Sequence, residues 1–311
     1  MQAIVVRNFN YTPQFEHEYP APKPTEQETL IQVQAAALSQ RAKSGADGSH
    51  YSSKGALPMV PGVDGVGTLP DGQQVYFVAN GSFAEQVAVR NGFWVPVPAQ
   101  LDPVKIAGMM NPAMSSWMAL QYRAHIQSGQ KVMILGATGT AGQMAVQIAK
   151  RLGASEVIAV GRNTTKLEAL SALGATQLIN LSADSAAADL ANAGQDVDIV
   201  LDYLWGAVTP LALKAIVPHR LHDDQPLKWV EIGGSAGTEA MIPAAAFRAV
   251  ALEMVGSGQG SVGVTNILET LKAIVASEAT APFTFATQTA ALADVDHVWS
   301  TATKSRLVFV P

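Results

Sequence analysis

Seven consecutive residues, Gly136-Ala-Thr-Gly139-Thr-Ala-Gly142, have the composition of a loop that holds phosphate. They follow the apolar run Lys131-Val-Met-Ile-Leu135, which reads as a strand buried on both faces. They lead into a stretch in which Ala145, Ile148, Ala149 and Leu152 fall at helical spacing. Strand, glycine turn and helix form the context a dinucleotide pyrophosphate needs. Glycines let backbone N–H groups come close, and the start of a helix offers free donors with a partial positive charge. The pattern departs from strict G-x-G-x-x-G, because Ala137 takes the first glycine slot while Gly139 and Gly142 hold the other two. By itself this stretch also reads as an ordinary tight strand-to-helix turn.

An NAD site usually carries an acid on the ribose hydroxyls about twenty residues further on. Here the second strand, Glu156-Val-Ile-Ala-Val160, runs into Gly161-Arg162-Asn163, with Lys166 one turn later. No carboxylate stands at the strand end. Gly161 leaves room, and the planar guanidinium of Arg162 suits a 2′-phosphate, so the expected cofactor is NADPH. The bland alternative is that Arg162 and Lys166 are a solvated helix start.

The chain that must position these residues has 311 of them, enough for two domains. It is 48% hydrophobic and 14% charged, sufficient for a large core. A net charge of −5 gives no basic field for nucleic acid or an anionic membrane. No apolar run reaches the roughly eighteen residues of a membrane span. Met1-Gln-Ala-Ile-Val-Val-Arg7 reads as a first strand rather than a signal peptide, so the expected compartment is the cytoplasm. The chain has no cysteine, which excludes disulfides, a thiolate nucleophile and Cys-ligated zinc. The six histidines are scattered; only His219 and His222 are close, in a loop with Asp223 and Asp224 that reads as solvated, and no metal site is expected.

The stretch Gly136–Gly142, with Gln147-Ile-Ala-Lys150 and Leu152-Gly-Ala154 behind it, resembles the medium-chain dehydrogenase/reductase superfamily, and within it the zinc-independent NADPH quinone oxidoreductase branch. The resemblance implies an α/β chain: a Rossmann doubly wound parallel sheet over residues 113–263, and a chaperonin-10-like, β-rich catalytic domain from residues 1–112 and 264–311. Short apolar runs cut by Pro and Gly before residue 110 (Ala3–Val6, Thr29–Ala36, Gln74–Val78, Phe83–Val89 and Phe93–Val97) suit that β-rich part. The tail runs Phe283–Thr287 and Arg306–Val310 are expected to return to it as strands. A helix is expected over Leu101–Gln127, interrupted at Asn111-Pro112. Further strands are read at Gln177–Leu181, Val197–Leu201, Trp229–Ile232 and Leu252–Gly256, separated by helical stretches, which is the pattern of a parallel sheet.

The resemblance also points at side chains. Pro61-Gly-Val-Asp-Gly-Val-Gly67 looks like the signature that carries a His and a Glu in the zinc enzymes; Val63 and Asp64 stand there instead. Ala35–Gly45 matches the segment that crosses the active-site floor, where quinone reductases often have Asn, Asp and Tyr. This chain offers Ser39, Ala42 and Ser44. A proton-donating tyrosine would then be Tyr51, in the polar loop from Gly45 to Ser53, or come from elsewhere. Ser115 takes the place of the family's nicotinamide-binding Thr and keeps the hydroxyl. Ligands bind off the carboxyl ends of parallel strands, which brings in Tyr203, Ile232, Gly233 and Ser235. The expected cofactor set is therefore Ser115, Thr138, Gly139, Thr140, Ala141, Gly142, Gly161, Arg162, Asn163, Lys166, Tyr203, Ile232, Gly233 and Ser235, with Ser39, Tyr51 and Tyr203 facing the substrate.

The expected activity is metal-free hydride transfer from NADPH to a quinone or similar conjugated carbonyl, which suits a chain with no Cys and no obvious acid–base pair. Two alternatives stay open. One is an enone or enoyl double-bond reductase, which needs a positioned proton donor. The other is an NADPH-binding protein without catalysis, as the recruitment of a crystallin from the same branch illustrates. The expected partner is a small electron acceptor, not nucleic acid or membrane. A homodimer joined at sheet edges is what the family suggests.

Overall fold

The computed structural model describes residues 1–50, 56–301 and 305–311. In chain order the elements are β1 (Ala3–Val5), β2 (Gln14–Glu16), β3 (Glu28–Ala37), α1 (Gln40–Ala46), β4 (Asp64–Thr68), β5 (Gln74–Val78), β6 (Gln86–Arg90), β7 (Trp94–Pro96) and α2 (Pro103–Met118). Then come β8 (Lys131–Leu135), α3 (Thr140–Arg151), β9 (Glu156–Gly161), α4 (Thr164–Ala169), β10 (Gln177–Asn180), α5 (Ala186–Ala193), β11 (Ile199–Asp202), α6 (Val208–Ile216) and β12 (Leu227–Glu231). The last are α7 (Ala246–Ala249), β13 (Leu252–Gly256), α8 (Val264–Thr280), β14 (Thr287–Ala291), α9 (Val295–Val298) and β15 (Arg306–Val310). They divide into two compact units, one of residues 1–111 and 271–311, the other of residues 112–270. No described helix is long and apolar enough to cross a membrane.

The second unit is a parallel sheet in the order β10-β9-β8-β11-β12-β13 among the described residues. Its strands are apolar runs because helices cover both faces: Val132 to Leu135, Val157 to Val160 and Ile199 to Leu201 are all buried. α3 buries Met144, Ala145, Val146, Ile148 and Ala149 and ends in Lys150 and Arg151, cations placed at the negative end of its dipole. The order of strands reverses between β8 and β11, and a crevice opens at the carboxyl ends of a sheet where it does so.

The first unit is β-rich. Its larger sheet runs β14-β15-β3-β4-β5-β7, with β6 on β3, and β1 pairs with β2. The ladder is antiparallel except for the parallel β14–β15 pair. Ile31, Phe77, Phe83, Leu307 and Phe309 share its core with Ile4 and Val6.

Two expectations need correction, at Pro112 and in the tail, and a further stretch needs an account: Asp64–Thr68, in the glycine-rich signature, is a central strand. Its glycines belong there because β3 lies close: a Cβ on Gly67 would sit 2.4 Å from the Gln32 carbonyl oxygen. The helix expected to break at Pro112 runs through it to Met118 and continues as a π turn over Ala119–Arg123. Pro112 forfeits one backbone bond, but Met109, Met110, Ala113 and Trp117 around it are buried, and that burial holds the helix. The tail strand lies at Thr287–Ala291 rather than Phe283–Thr287. Phe283 instead sinks into the core, its N–H donating to Glu278 Oε2 at 2.7 Å.

One buried ionisable group in the first unit has no sequence-based explanation. Asp64 lies inside the sheet and accepts the Tyr76 hydroxyl proton at 2.6 Å on Oδ2. Burial raises its carboxyl from 3.8 to about 6, against the pull of the Tyr76 hydrogen bond and the Arg306 charge. The folded chain therefore keeps a proton that the unfolded chain has lost between those pH values. Stability must fall as pH rises through this window, by about 3 kcal/mol for a gap of roughly two pH units. In Asp64→Asn the fall should shrink by about that amount. Urea unfolding from pH 4 to 7 tests this, and equal pH slopes in both proteins would refute the assignment.

Candidate functional site

The phosphate-type loop leaves β8 at Gly136, whose φ of 89° places it in the left-handed region. Gly136 and Ala137 N–H both reach the Val160 carbonyl at 3.0 Å, so the loop is tied to the end of β9. Gly139 N-caps α3 and has no side chain with which to do so. The first helical bond is Gln143 N–H to the Gly139 carbonyl. The N–H groups of Thr140, Ala141 and Gly142 come before it and have no carbonyl one turn back. No acid occupies the first turn. Gly142 is buried so closely against the loop that an added Cβ would lie 2.4 Å from the Gly136 carbonyl oxygen and 2.5 Å from Ala137 Cα. At Gly139 the nearest such atom is 3.5 Å away.

At the end of β9, Gly161 is closed over by Thr138: a Cβ there would meet Thr138 Cγ2 at 2.7 Å. Arg162 and Lys166 are exposed, and neither side chain has a partner among the described residues. Asn163 caps α4, its Oδ1 accepting the Lys166 N–H at 2.9 Å, so that oxygen is already used.

On the other side of β8, β11 ends in Asp202, fully buried. Its Oδ1 accepts the N–H groups of Leu204 and Trp205, each at 2.9 Å. Its Oδ2 accepts from the Thr209 hydroxyl and from Trp229 Nε1 at 3.0 Å. Four donors on one carboxylate offset its burial and fix a turn in which Trp205 is held at φ 53°. That turn carries Tyr203. Its hydroxyl lies 2.8 Å from Ser116 Oγ, and burial pushes it up to about 12, against the lowering pull of the Ser116 and Ser115 hydroxyls. Ser115 Oγ donates to the Pro112 carbonyl at 2.9 Å and remains partly exposed, whereas Ser116 is buried. Ile232 and Gly233 N–H both reach the Asp202 carbonyl, at 2.8 and 3.3 Å. Ser235 Oγ reaches the Tyr203 carbonyl at 2.7 Å.

The fourteen residues expected from the sequence around a cofactor thus lie at the carboxyl ends of β8, β9, β11 and β12 and on the second half of α2, all in one unit. The substrate-side candidates divide. Ser39 is buried and N-caps α1, its Oγ accepting Ala42 N–H at 2.9 Å. Tyr51 lies outside the described residues. Tyr203 is committed to Ser116. Asp202 and Ser116 had no sequence-based role. A carboxylate at the end of an apolar strand signals a buried cap, and the pair Ser115-Ser116 places one hydroxyl inward and one outward.

A family model described as zinc-binding dehydrogenase matches residues 141–219. Over 338 aligned positions the chain is 29% identical to a protein of Emericella nidulans named "Probable NADPH-dependent quinone reductase tdiC", covering 94% of each. These matches support the medium-chain dehydrogenase/reductase superfamily, and within it the quinone oxidoreductase branch, as the relatives of this chain. This oxidoreductase is also 26% identical to the chloroplastic NADPH-dependent alkenal/one oxidoreductase of Arabidopsis thaliana, over 63% of this chain and 60% of that one. The solved structure of the quinone oxidoreductase of Thermus thermophilus shares its fold at a TM-score of 0.85 and 22% identity, with both chains fully covered. The quinone oxidoreductase of Pseudomonas syringae pv. tomato gives 0.85 at 16% identity, again with both chains fully covered. The matched family model spans α3 to α6 of the oxidoreductase, and that stretch holds none of the zinc-ligand positions discussed above, so its name carries no metal to this chain.

The packing of Gly142 gives a direct test. Gly142→Ala must push backbone apart, which typically costs about 1–3 kcal/mol. The apo protein should melt about 3 °C or more lower, while Gly139→Ala should stay within about 1 °C. Equal melting temperatures for the two variants would contradict this packing.

Proposed function

We propose that this oxidoreductase uses NADPH to reduce quinones or similarly electron-poor conjugated carbonyls. The observation that carries the reading is the start of α3: three N–H groups without helical partners, no first-turn acid, and Arg162 and Lys166 free at the end of the neighbouring strand. A pyrophosphate suits the first feature and a 2′-phosphate the second. In this reading Thr138 to Gly142 hold the pyrophosphate, and Arg162 and Lys166 hold the 2′-phosphate. Gly161 and Asn163 shape the ribose side. Ser115, Ile232, Gly233 and Ser235 border the nicotinamide.

Bound NADPH supplies a hydride, which reduces the quinone by two electrons, and a proton from water completes the hydroquinone. The oxyanion is resonance-stabilised, so the chain need only bind, orient and exclude water. That division of labour agrees with the side chains present. Ser39 acts through its cap, holding the start of α1 at the floor segment of the β-rich unit, which we take as the catalytic domain. Tyr203, bonded to Ser116 and raised to about 12, is a poor acid at neutral pH.

The similarity to an alkenal/one oxidoreductase favours a second reading, reduction of a carbon–carbon double bond conjugated to a carbonyl. That step needs a proton at carbon, and Tyr51 is the residue we would assign to it. A cytoplasmic location and pairing of two copies through a sheet edge are the setting we propose, by family resemblance.

Steady-state oxidation of NADPH and NADH against a panel of ortho- and para-quinones and enones decides among these. NADPH-selective quinone turnover is expected. Arg162→Ala should raise the KM for NADPH about tenfold or more, with NADH kinetics unchanged. A preference for NADH in the wild type would sink the 2′-phosphate assignment. Turnover of enones alone, lost in Tyr51→Phe, would favour the second reading.

A further inference from the structure

At the carboxyl edge of the parallel sheet, Tyr203 meets three separate segments through its backbone and its side chain. Its N–H donates to the Leu135 carbonyl at 3.1 Å, which sets it beside the last residue of β8. Its Cβ packs on the loop: a Cβ added to Gly136 would meet it at 3.3 Å. Its carbonyl accepts both Ser235 Oγ at 2.7 Å and Ser235 N–H at 3.3 Å, which ties down the glycine-rich loop after β12. Its hydroxyl meets Ser116 Oγ at 2.8 Å, on α2. Ser116 Oγ lies in turn 3.0 Å from the Pro112 carbonyl and 3.4 Å from the Ala141 carbonyl, in the first turn of α3. With Ser116 donating back along its own helix, the phenol donates and Ser116 accepts.

We propose that Tyr203 is a positioning residue. Through the Tyr203–Ser116 bond and its carbonyl, it locks α2, the phosphate loop and the Gly233–Ser235 loop into the arrangement that receives the nicotinamide half of the cofactor. This rests on the NADPH reading above. It removes Tyr203 from the proton donors and gives Ser116, rather than Ser115 alone, a part in the site. The phenol is suited to this work because burial holds it protonated across the neutral range.

The geometry also says which half of the cofactor should respond. Strands in a sheet are about 4.8 Å apart. The end of β11, where Tyr203 stands, is two strands from the end of β9, where Arg162 stands, so about 10 Å separates them along the edge. The adenosine 2′-phosphate side should not feel the loss of the hydroxyl pair.

The test uses the full chain with Tyr203→Phe, Ser116→Ala and the double variant. Calorimetric dissociation constants are measured for NADPH and for 2′,5′-ADP, which lacks the nicotinamide half, and melting temperatures are recorded alongside. Each single variant should weaken NADPH about three- to tenfold, with 2′,5′-ADP unchanged. The double variant should be no worse than the weaker single, because both remove one bond. Ser116→Ala reaches that bond from the other side should Tyr203→Phe fold poorly. Unchanged NADPH binding in both singles overturns the proposal, as does parallel weakening of 2′,5′-ADP or an additive double variant. Wild-type protein that binds neither ligand overturns the cofactor reading and this proposal with it, an outcome distinct from wild-type binding that the variants leave untouched.

Discussion

The contact between Gly142 and the loop ahead of it governs the nucleotide unit. A helix that begins this close to the strand before it can have only a hydrogen atom at that point, because a methyl carbon would lie 2.4 Å from the Gly136 carbonyl oxygen. The approach has two consequences. It seats α3 on the sheet with Met144, Ala145 and Ile148 buried. It also leaves the first N–H groups of α3 at the carboxyl edge, beside the point where strand order reverses. The same constraint thus stabilises the fold and leaves a helix start of the kind that suits an anion.

A second constraint lies one strand away. The Asp202 carboxylate is completely buried and accepts four hydrogen bonds. Removing either side-chain donor, the Thr209 hydroxyl or Trp229 Nε1, would leave Oδ2 with one partner fewer in a buried setting. These bonds hold the backbone after β11 in a turn with Trp205 and Gly206 both at positive φ, an arrangement the chain would not adopt unaided. Tyr203 emerges from that turn. Local strain, a buried carboxylate and a hydroxyl pair are therefore links in one chain of cause. It runs from the apolar packing of Trp229 within the sheet to the loops at its edge.

Much of this was legible in the residues. The apolar run ending at Leu135, the glycines after it and the helical spacing from Ala145 fix strand, turn and helix, because each follows from local sterics and burial periodicity. The absence of an acid at the end of β9 was equally plain. Other features depend on partners distant in sequence. Asp64 looked like an inert substitute at a former ligand position, and only the fold surrounds it with Tyr76 and places Arg306 near. Pro112 carried the signal of a helix break, which burial of its neighbours overrode. Phe283 and Phe285 alternate like a strand, but ladder pairing with β15 falls to Thr287–Ala291, four residues on. Ser39 had the right type for a site residue, but a serine just before a helix start and a serine in a site look alike until the cap is seen.

The central claim is that backbone N–H groups at the start of α3 hold the pyrophosphate of NADPH. Amide hydrogen exchange measured with and without saturating NADPH tests it most directly. Strong new protection is predicted at Thr140, Ala141 and Gly142, which have no helical acceptor of their own, with lesser protection at Gly233 and Ser235. Exchange at Thr140–Gly142 that is unchanged by NADPH, while protection appears elsewhere or nowhere, would contradict the account.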